Sequence, residues 1–309
     1  MLEILNPGRF NTVQDLGREG LRHLGITQAG AMDAPSLVLA NRLVDNPPGA
    51  AGLEIVCGPV EIRFERDGWL ALTGALFDAK LDDRELWSGW REPFRAGQRL
   101  RLNGPRRGMR LYLAVDGGIA VPEVLGARAT DLQAGFGGMA GRALLAGDRL
   151  PLGPAHAALT ARCGVLQLEW APGIRVLPGP EFEQFEPAAR KAFFDSGWQV
   201  SSQSNRMGCR LQGPVLKRRG ARDLLSHLVL PGVIQVPPAG QPIVLLADAQ
   251  TTGGYPRIAS VIEADLWKLA QVRPGQSVHF VQTDAAGAAA ARQVWLQHLR
   301  RFEWSAYGH

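Results

Sequence analysis

The stretch "IVLLADAQTTGGYP", residues 243–256, runs from an apolar strand pattern into a turn rich in uncharged polar groups. An earlier stretch, "LYLAVDGGIAVP" at residues 111–122, has a similar apolar run, an aspartate at its end and a Gly-Gly pair. The earlier copy lacks the Gln-Thr-Thr that precedes the glycines in the later one. Since both combine a strand with a glycine turn, they indicate that one folding unit occurs twice in the chain.

Two further pairs of segments support this duplication. "EIVCGPVEIRFE" at 54–65 is echoed by "IRVLPGPEFEQFE" at 174–186, and "LLAGDRLPL" at 144–152 by "QVRPGQSVHF" at 271–280. The pairs keep the same order, with offsets of about 120 to 135 residues, which is typical of a duplicated domain; chance resemblance of glycine turns is the alternative. We predict two related domains, residues 1–155 and 156–309, the second carrying a C-terminal helical tail.

The rest of the chain favours a mainly β fold with a few short helices. Short apolar or alternating runs recur throughout, and the 37 glycines and 21 prolines suit tight turns between strands. Helical patterns are rarer. They predict helices over residues 32–46, where Asp33 is placed to cap the first turn, and over 186–197, 258–271 and 285–304.

Composition limits the classes of function. The formal charge of +5 is scattered, and its densest cluster, "KRRGAR" at 217–222, has no interleaved aromatic residue, so it favours a basic turn or a contact for an acidic partner over nucleic-acid binding. The three cysteines lack metal-ligand spacing, and we predict no metal site. We find no signal peptide or long apolar segment and expect a soluble, cytoplasmic protein.

Common catalytic signatures are absent from the sequence. It contains no Walker A loop, no GxGxxG after a strand, no GxSxG elbow and no HExxH. Candidate chemistry therefore depends on Asp, Arg and neutral polar groups in glycine-rich segments. Each has a structural alternative: Asp33 is equally suited to a helix N-cap, and Arg206 to a surface position.

Many blocks together resemble one known family. "NTVQDLGR", "QAGAMD", "LANRLVDN", "YLAVDGGI", "LGARATD", "SNRMGCRL", "GVIQVPPAGQPIVLLADAQTTGGYP" and "AQVRPGQSV" look like the biotin-dependent carboxyltransferase, or allophanate hydrolase subunit 2, family. Within it they resemble the KipA-like branch, which comprises the C subunits of bacterial 5-oxoprolinases. The match runs from about residue 5 to residue 282. One departure is "GARAT", where Ala127 stands for the family's serine.

The resemblance implies a fold, partners and a reaction. The fold would be two tandem cyclophilin-like β-barrel domains. The chain would work with two partners, the KipI-like B subunit and the LamB/YcsF-like A subunit, to open 5-oxo-L-proline to L-glutamate, using ATP bound by a partner or at an interface. Two alternatives stay open: the carboxyltransferase component of a biotin-dependent urea or other amide carboxylase, and a non-catalytic KipA-like antagonist of a KipI-type kinase inhibitor.

Residue type and intact motifs then suggest a site. Opening a lactam requires donors for a developing oxyanion and a cation for the substrate's carboxylate or for phosphate. We predict Arg206 on the carboxylate and glutamine and threonine groups on the amide, with the "QAGAMD" segment as a second wall. The predicted catalytic residues are Asp33, Arg206 and Gln250, and the predicted substrate-binding residues are Gln28, Gly30, Thr251, Thr252 and Tyr255.

Overall fold

The computed structural model describes residues 1–155, 159–220 and 224–307. The chain divides into two compact units, each interrupted in sequence. The first contains Met1–Glu19, Ala29–Glu169 and Phe302–His309, and the second contains Gly20–Gln28 and Trp170–Arg301. The boundary predicted after residue 155 adjoins residues 156–158, which lie outside the described residues, so it stays a prediction.

The first unit is built on one sheet of ten strands. Their order is β10-β7-β5-β8-β4-β1-β9, while β2 pairs with β3, β3 also pairs with β8, and β6 pairs with β5. The strands are β1 Leu2–Asn6, β2 Thr12–Gln14, β3 Gly52–Ile55, β4 Val60–Phe64, β5 Gly68–Leu81, β6 Arg84–Leu86, β7 Trp90–Phe94, β8 Arg99–Val115, β9 Arg149–Leu150 and β10 Cys163–Gly164. Their inward apolar residues form one large core.

Helix α1, Ala34–Leu43, forms inside the segment 32–46 for which the sequence predicts a helix, and it packs against this sheet. Asp33 is its N-cap and accepts the Ser36 backbone N–H at 3.0 Å, while Pro35 lies in the first turn, where its missing N–H costs nothing. The apolar side chains of the helix, including Leu37 and Leu43, are buried against Tyr112 and its neighbours on β8. A cap and an apolar face are both readable in the sequence, and the helix forms because both are present.

The second unit contains a closed barrel of seven strands, in the order β11-β18-β15-β16-β13-β12-β19. The parallel pairing of β19 with β11 closes it. The strands of this unit are β11 Gly173–Pro178, β12 Trp198–Val200, β13 Gly208–Gln212, β14 His227–Leu228, β15 Val233–Gln235, β16 Ile243–Leu245, β17 Thr252–Gly253, β18 Arg257–Val261 and β19 Ser277–Gln282. The mainly β prediction is confirmed.

Three further helices follow in the chain: α2 Pro187–Asp195, α3 Leu266–Gln271 and α4 Ala285–Tyr307. The helix predicted over 258–271 is wrong in its first half, because Arg257–Val261 is strand β18, which pairs with both β11 and β15. Ile258 and Val261 are β-branched and buried in the barrel, and tertiary pairing outweighs the helical periodicity. Among the described residues, no helix is long and apolar enough to cross a bilayer.

A buried carboxylate holds the start of the barrel to helix α3. Asp265 accepts hydrogen bonds from the Arg175 backbone N–H at 2.9 Å and from its guanidinium at 2.9 and 2.6 Å, and Lys268 Nζ lies 3.1 Å away. Burial raises the pKa of Asp265, but the hydrogen bonds from Arg175 and the charge of Lys268 outweigh it, so this pKa lies below its ordinary value. The group therefore stabilises the fold in its charged form.

We expect the Asp265 carboxylate to make the free energy of unfolding depend on pH in the acid range. Because the folded pKa is depressed, its contribution is fully present above the unfolded pKa of about 3.9 and is lost as pH falls through the lower folded pKa. Asp265→Asn should lower the free energy of unfolding at neutral pH by about 1–3 kcal/mol and flatten its decline in acid. Urea unfolding over a pH series measures both, with the exposed Asp195→Asn as control; an unchanged acid decline would contradict the assignment.

Candidate functional site

The Gln-Thr-Thr-Gly-Gly turn leads into a small antiparallel ribbon in the second unit. Strand β17 pairs with β14, with His227 opposite Gly253 and Leu228 opposite Thr252. We call these four residues the ribbon. Leu228 and Thr252 are exposed, whereas His227 and Gly253 are partly buried. Since opposite residues share a face and neighbours alternate, the ribbon has an exposed outer face and an inner face formed by His227 and Gly253.

Both glycines of the turn are explained by close approach. A Cβ on Gly253 would lie 2.8 Å from Nε2 of Gln235, and one on Gly254 would lie 2.9 Å from the Leu224 carbonyl oxygen. A larger residue at either position would have to displace a neighbour. The inner face of the ribbon therefore lies directly against the Gln235 carboxamide.

Two glutamine side chains meet under the ribbon. Gln235 ends strand β15 and is only 1% exposed. Its Oε1 accepts from Gln250 Nε2 at 3.5 Å, the outer limit of a hydrogen bond. Its Nε2 is buried and has no hydrogen-bond partner among the residues that the structure describes. A buried amide with an unused donor is able to bind a polar ligand atom.

His227 adds an acceptor to this face. Its Nδ1 lies 3.1 Å from the Leu225 carbonyl oxygen, which only accepts, so Nδ1 donates in this contact; in the tautomer with a single ring proton, Nε2 is then an acceptor. That Nε2 is buried and unpartnered within the described part of the chain. The inner face of the ribbon thus carries an unused acceptor as well as an unused donor.

A cation from the first part of the chain belongs to the same unit. Arg22, in the segment Gly20–Gln28, donates to the carbonyl oxygens of Val229 at 2.8 Å, Gln250 at 2.9 Å and Ala249 at 3.4 Å. Burial lowers the pKa of Arg22. Its hydrogen-bond partners among the described residues are carbonyls, and none of these residues forms an ion pair with it there. We call Arg22, His227, Gln235, Gln250 and Gly253 the ribbon site.

The structure places four predicted residues in or beside the ribbon site. Gln250 contacts Gln235 through its side chain and Arg22 through its carbonyl oxygen. Thr252 is in the ribbon itself with its side chain exposed, and Thr251 just before it is buried. Tyr255 is 46% exposed. Their predicted roles in substrate binding and catalysis stay predictions, and the structure groups them as the sequence suggests.

Arg206 has a carboxylate partner within the protein. Its Nε and Nη2 donate to the two oxygens of Asp248 at 2.8 and 2.9 Å, and the Asp248 backbone N–H donates to the Arg206 carbonyl oxygen at 3.0 Å. The pair is almost fully buried, with 11% and 2% of the side chains exposed. This bidentate pair fixes the loop before the Gln-Thr-Thr turn. The predicted role of Arg206 on a substrate carboxylate stays a prediction.

Asp33 and Gly30 belong to the first unit. Both carboxylate oxygens of Asp33 accept from Ser36, and its backbone N–H donates to the Tyr112 hydroxyl at 2.7 Å. Tyr112 donates in turn to Glu54 at 2.6 Å. Burial and the charges of Glu54 and Asp33 raise the pKa of Tyr112 well above its ordinary value, so this hydroxyl keeps its proton. The N-cap alternative for Asp33 is realised; its catalytic role stays a prediction.

The remaining predicted residues, Gly30 and Gln28, are not members of the ribbon site. Gly30 has φ +86°, and a Cβ there would lie 2.7 Å from the Gly17 backbone nitrogen, so a turn and close packing require glycine. Gln28 ends the segment Gly20–Gln28 of the second unit and is half-buried. Their predicted roles in substrate binding stay predictions.

Sequence reasoning missed three members of the ribbon site: Arg22, His227 and Gln235. Gln235 lies inside the family block "GVIQVPPAGQPIVLLADAQTTGGYP", and a glutamine at the end of an apolar strand was the available signal. His227 lies in strand β14, but its opposite residue cannot be read from the sequence. Arg22 gives no signal, because its partners are backbone carbonyls more than 200 residues away.

Comparisons with known proteins bear on the whole chain. The family model "Carboxyltransferase domain, subdomain A and B" matches residues 24–282. The 5-oxoprolinase C subunit of Escherichia coli is 55% identical over 304 residues, covering 98% of both chains. The protein of the same name in Haemophilus influenzae is 40% identical, covering 97% of this chain and 98% of that one.

Larger proteins contain a similar region. The urea amidolyase of Lachancea kluyveri is 33% identical over 90% of this chain, which spans 17% of that protein. The crystal structure of the Kluyveromyces lactis urea amidolyase matches with a TM-score of 0.90 at 29% identity, over 97% of this chain and 20% of that one. The structure of TTHA0988 matches with a TM-score of 0.81 at 37% identity, over 91% of this chain and 55% of that one.

Proposed function

Since the chain belongs to the carboxyltransferase domain family, subdomain A and B, we propose that it is the C subunit of a 5-oxoprolinase that opens 5-oxo-L-proline to L-glutamate with ATP. The observation that carries the proposal is the 55% identity to a 5-oxoprolinase C subunit over 98% of both chains. The ribbon site is its proposed substrate site. A cytoplasmic complex with the KipI-like and LamB/YcsF-like partners completes the proposal.

The chemistry of the ribbon site suits this substrate. 5-Oxoproline carries one carboxylate and one uncharged ring amide. Arg22 offers a cation that has no carboxylate partner within the described residues, and Gln235, Gln250 and His227 offer neutral donors and acceptors beside it. A carboxylate on the guanidinium and the ring amide under the ribbon would use both kinds of group.

ATP would lower the activation barrier of lactam opening. Bound in the complex, ATP would supply a phosphoryl group that makes the lactam carbonyl carbon a better electrophile, while ring opening itself would still require water to add at that carbon, the C–N bond to break and a proton to reach the departing amine. The ribbon site does not fit a nucleotide triphosphate, because it offers one guanidinium for a group that carries several negative charges, and no Walker A loop is present in the sequence. We therefore assign ATP to the assembled complex and derive no step through it.

A second candidate function is carboxyl transfer from carboxybiotin to urea or another amide. The likeness to urea amidolyases, 33% identity in sequence and a TM-score of 0.90 in structure, favours it. It would require a biotinylated partner, because the "(A/V)MKM" attachment sequence is absent from this chain. The lower identity makes it the weaker candidate. The non-catalytic antagonist of a KipI-type inhibitor is not the described activity of any of the relatives named above.

Reconstitution tests the proposed function. We expect the purified chain to be inactive alone and to release glutamate and phosphate from 5-oxoproline and ATP when the KipI-like and LamB/YcsF-like partners are added. Glutamate and phosphate are followed in parallel. Activity that instead depends on biotin and urea, or a complex without turnover that still relieves a kinase inhibitor, would replace the proposal with one of its alternatives.

A further inference from the structure

Two side-chain nitrogens on the inner side of the ribbon are buried without a hydrogen-bond partner among the described residues. They are Nε2 of Gln235 and Nε2 of His227. Buried polar atoms in folded proteins are nearly always paired, and an exception at a candidate site points to a missing ligand atom. The two nitrogens have opposite capacities: the Gln235 amide nitrogen only donates, and His227 Nε2 accepts, because Nδ1 donates to Leu225.

The two nitrogens also lie on one face. His227 is directly opposite Gly253 in the antiparallel ribbon, so its Cβ and the position of an absent Gly253 Cβ lie on the same side, about 4.5–5.5 Å apart. That absent Cβ position is 2.8 Å from Gln235 Nε2. Because Gly253 has no Cβ, the Gln235 amide nitrogen packs directly against the ribbon on the side of His227, and the ribbon has to move to admit a ligand between the two side chains.

We propose that this pair recognises the cis amide of a lactam, with Gln235 Nε2 donating to the ring carbonyl oxygen and His227 Nε2 accepting from the ring N–H. A five-membered ring holds its amide cis, so the oxygen and the N–H lie on the same side and meet two neighbouring groups together. An open-chain secondary amide is almost always trans and presents them on opposite sides. The inference rests on the proposed function, since 5-oxo-L-proline is such a lactam.

The ribbon itself provides a route for the ligand. Each of its strands is only two residues long, and its outer pair, Leu228 and Thr252, is exposed. The adjacent residues are held by the Val229 N–H, which donates to the Thr251 carbonyl oxygen, and by the bonds from Arg22. Segments with few backbone pairs open at a low free energy, so the proposal requires the ribbon to lift from Gln235 while the barrel stays folded.

The test compares a lactam with its lactone in the reconstituted three-subunit complex. The lactone, 5-oxotetrahydrofuran-2-carboxylate, keeps the ring carbonyl and carboxylate but replaces the N–H with oxygen. The inhibition constant of the lactone and the Michaelis constant of the lactam substrate are measured for wild type, His227→Phe and Gln235→Met. We expect wild type to favour the lactam by about tenfold to a hundredfold, the usual effect of one buried hydrogen bond.

The two variants should change the binding of the lactam and the lactone in different ways. His227→Phe removes the acceptor for the N–H, so the Michaelis constant of the lactam rises while lactone binding stays, and the preference collapses towards unity. Gln235→Met removes the donor to the carbonyl, which both ligands have, so both bind about tenfold to a hundredfold more weakly and the preference persists. The exposed His279 and Gln199 provide matched controls, and His279→Phe and Gln199→Met should leave both constants unchanged.

The possible outcomes distinguish a failure of this inference from a failure of the proposed function on which it rests. A wild-type complex that does not turn over 5-oxoproline refutes the proposed function. A wild-type complex that turns it over, with a lactam preference unaltered by His227→Phe, refutes the inference alone. Since a misfolded variant would lose both ligands, thermal unfolding of each full-length variant is compared with wild type, and His227→Gln, which restores an acceptor oxygen, should recover part of the preference.

Discussion

Arg206→Ala is expected to lower the free energy of unfolding by about 3–5 kcal/mol, because it removes the guanidinium that pairs with the buried Asp248 carboxylate. Asp248 is 2% exposed and accepts two hydrogen bonds from Arg206 in a bidentate pair. Urea unfolding of the full chain measures the loss. Arg210→Ala, four residues further on and exposed, is the control and should change stability by no more than about 0.5 kcal/mol.

A double variant separates the structural role of Arg206 from its predicted role on substrate. Arg206→Met with Asp248→Leu replaces the buried pair with apolar groups, which is often close to neutral for stability. If Arg206 only fixes the loop, the double variant recovers turnover in the reconstituted complex together with stability. If Arg206 binds the substrate carboxylate, stability returns and turnover does not. A stable Arg206→Ala single variant would contradict the buried ion pair itself.

Trp198→Ala should lower the free energy of unfolding by a similar amount, about 3–5 kcal/mol, because it creates a cavity in the barrel. Trp198 is fully buried on β12, its Nε1 donates to the Phe193 carbonyl oxygen at 3.0 Å, and Gly213 lies against its ring. Phe193 stacks on Phe280 at 4.6 Å between ring centroids, which extends the same core.

The control for this prediction is Trp87→Ala, since Trp87 is 63% exposed. We expect the free energies of unfolding of the two variants, measured by thermal and urea unfolding, to differ by most of the loss expected for Trp198→Ala. Because the two substitutions remove the same side chain, equal destabilisation would show that burial in the barrel is not the cause. A Trp198→Ala chain that unfolds in two steps would in addition show that the second unit loses its structure separately.

Local patterns predict those elements whose cause is local. Helix α1 begins where Asp33 and Pro35 indicate, because a cap and a first-turn proline act within four residues. The mainly β character follows from short apolar runs between glycines. The first half of the 258–271 segment departs from its helical pattern, because strand β18 owes its conformation to partners on β11 and β15 that a periodic pattern cannot name.

In the candidate site, too, some residues can be predicted from the sequence and others only from the structure. Gln250, Thr251 and Thr252 are conspicuous because they cluster in sequence, and the structure keeps them beside one another. The sequence predicts polar neighbours around Arg206, but its partner, Asp248, is 42 residues away, and nothing local links the two. Gln235, His227 and Arg22 join the site through strand pairing and carbonyl contacts, which leave no local mark.

The sequence by itself determined a family, a mainly β fold, a capped helix and a polar turn that contains two glycines, because each depends on residue type at short range. Only the tertiary structure decided what those glycines contact. Gly253 lies over Gln235 and opposite His227 because a two-residue ribbon pairs two segments that are far apart in the chain. That pairing places a buried donor and a buried acceptor on one face, an arrangement set by register between strands and not by spacing along the chain.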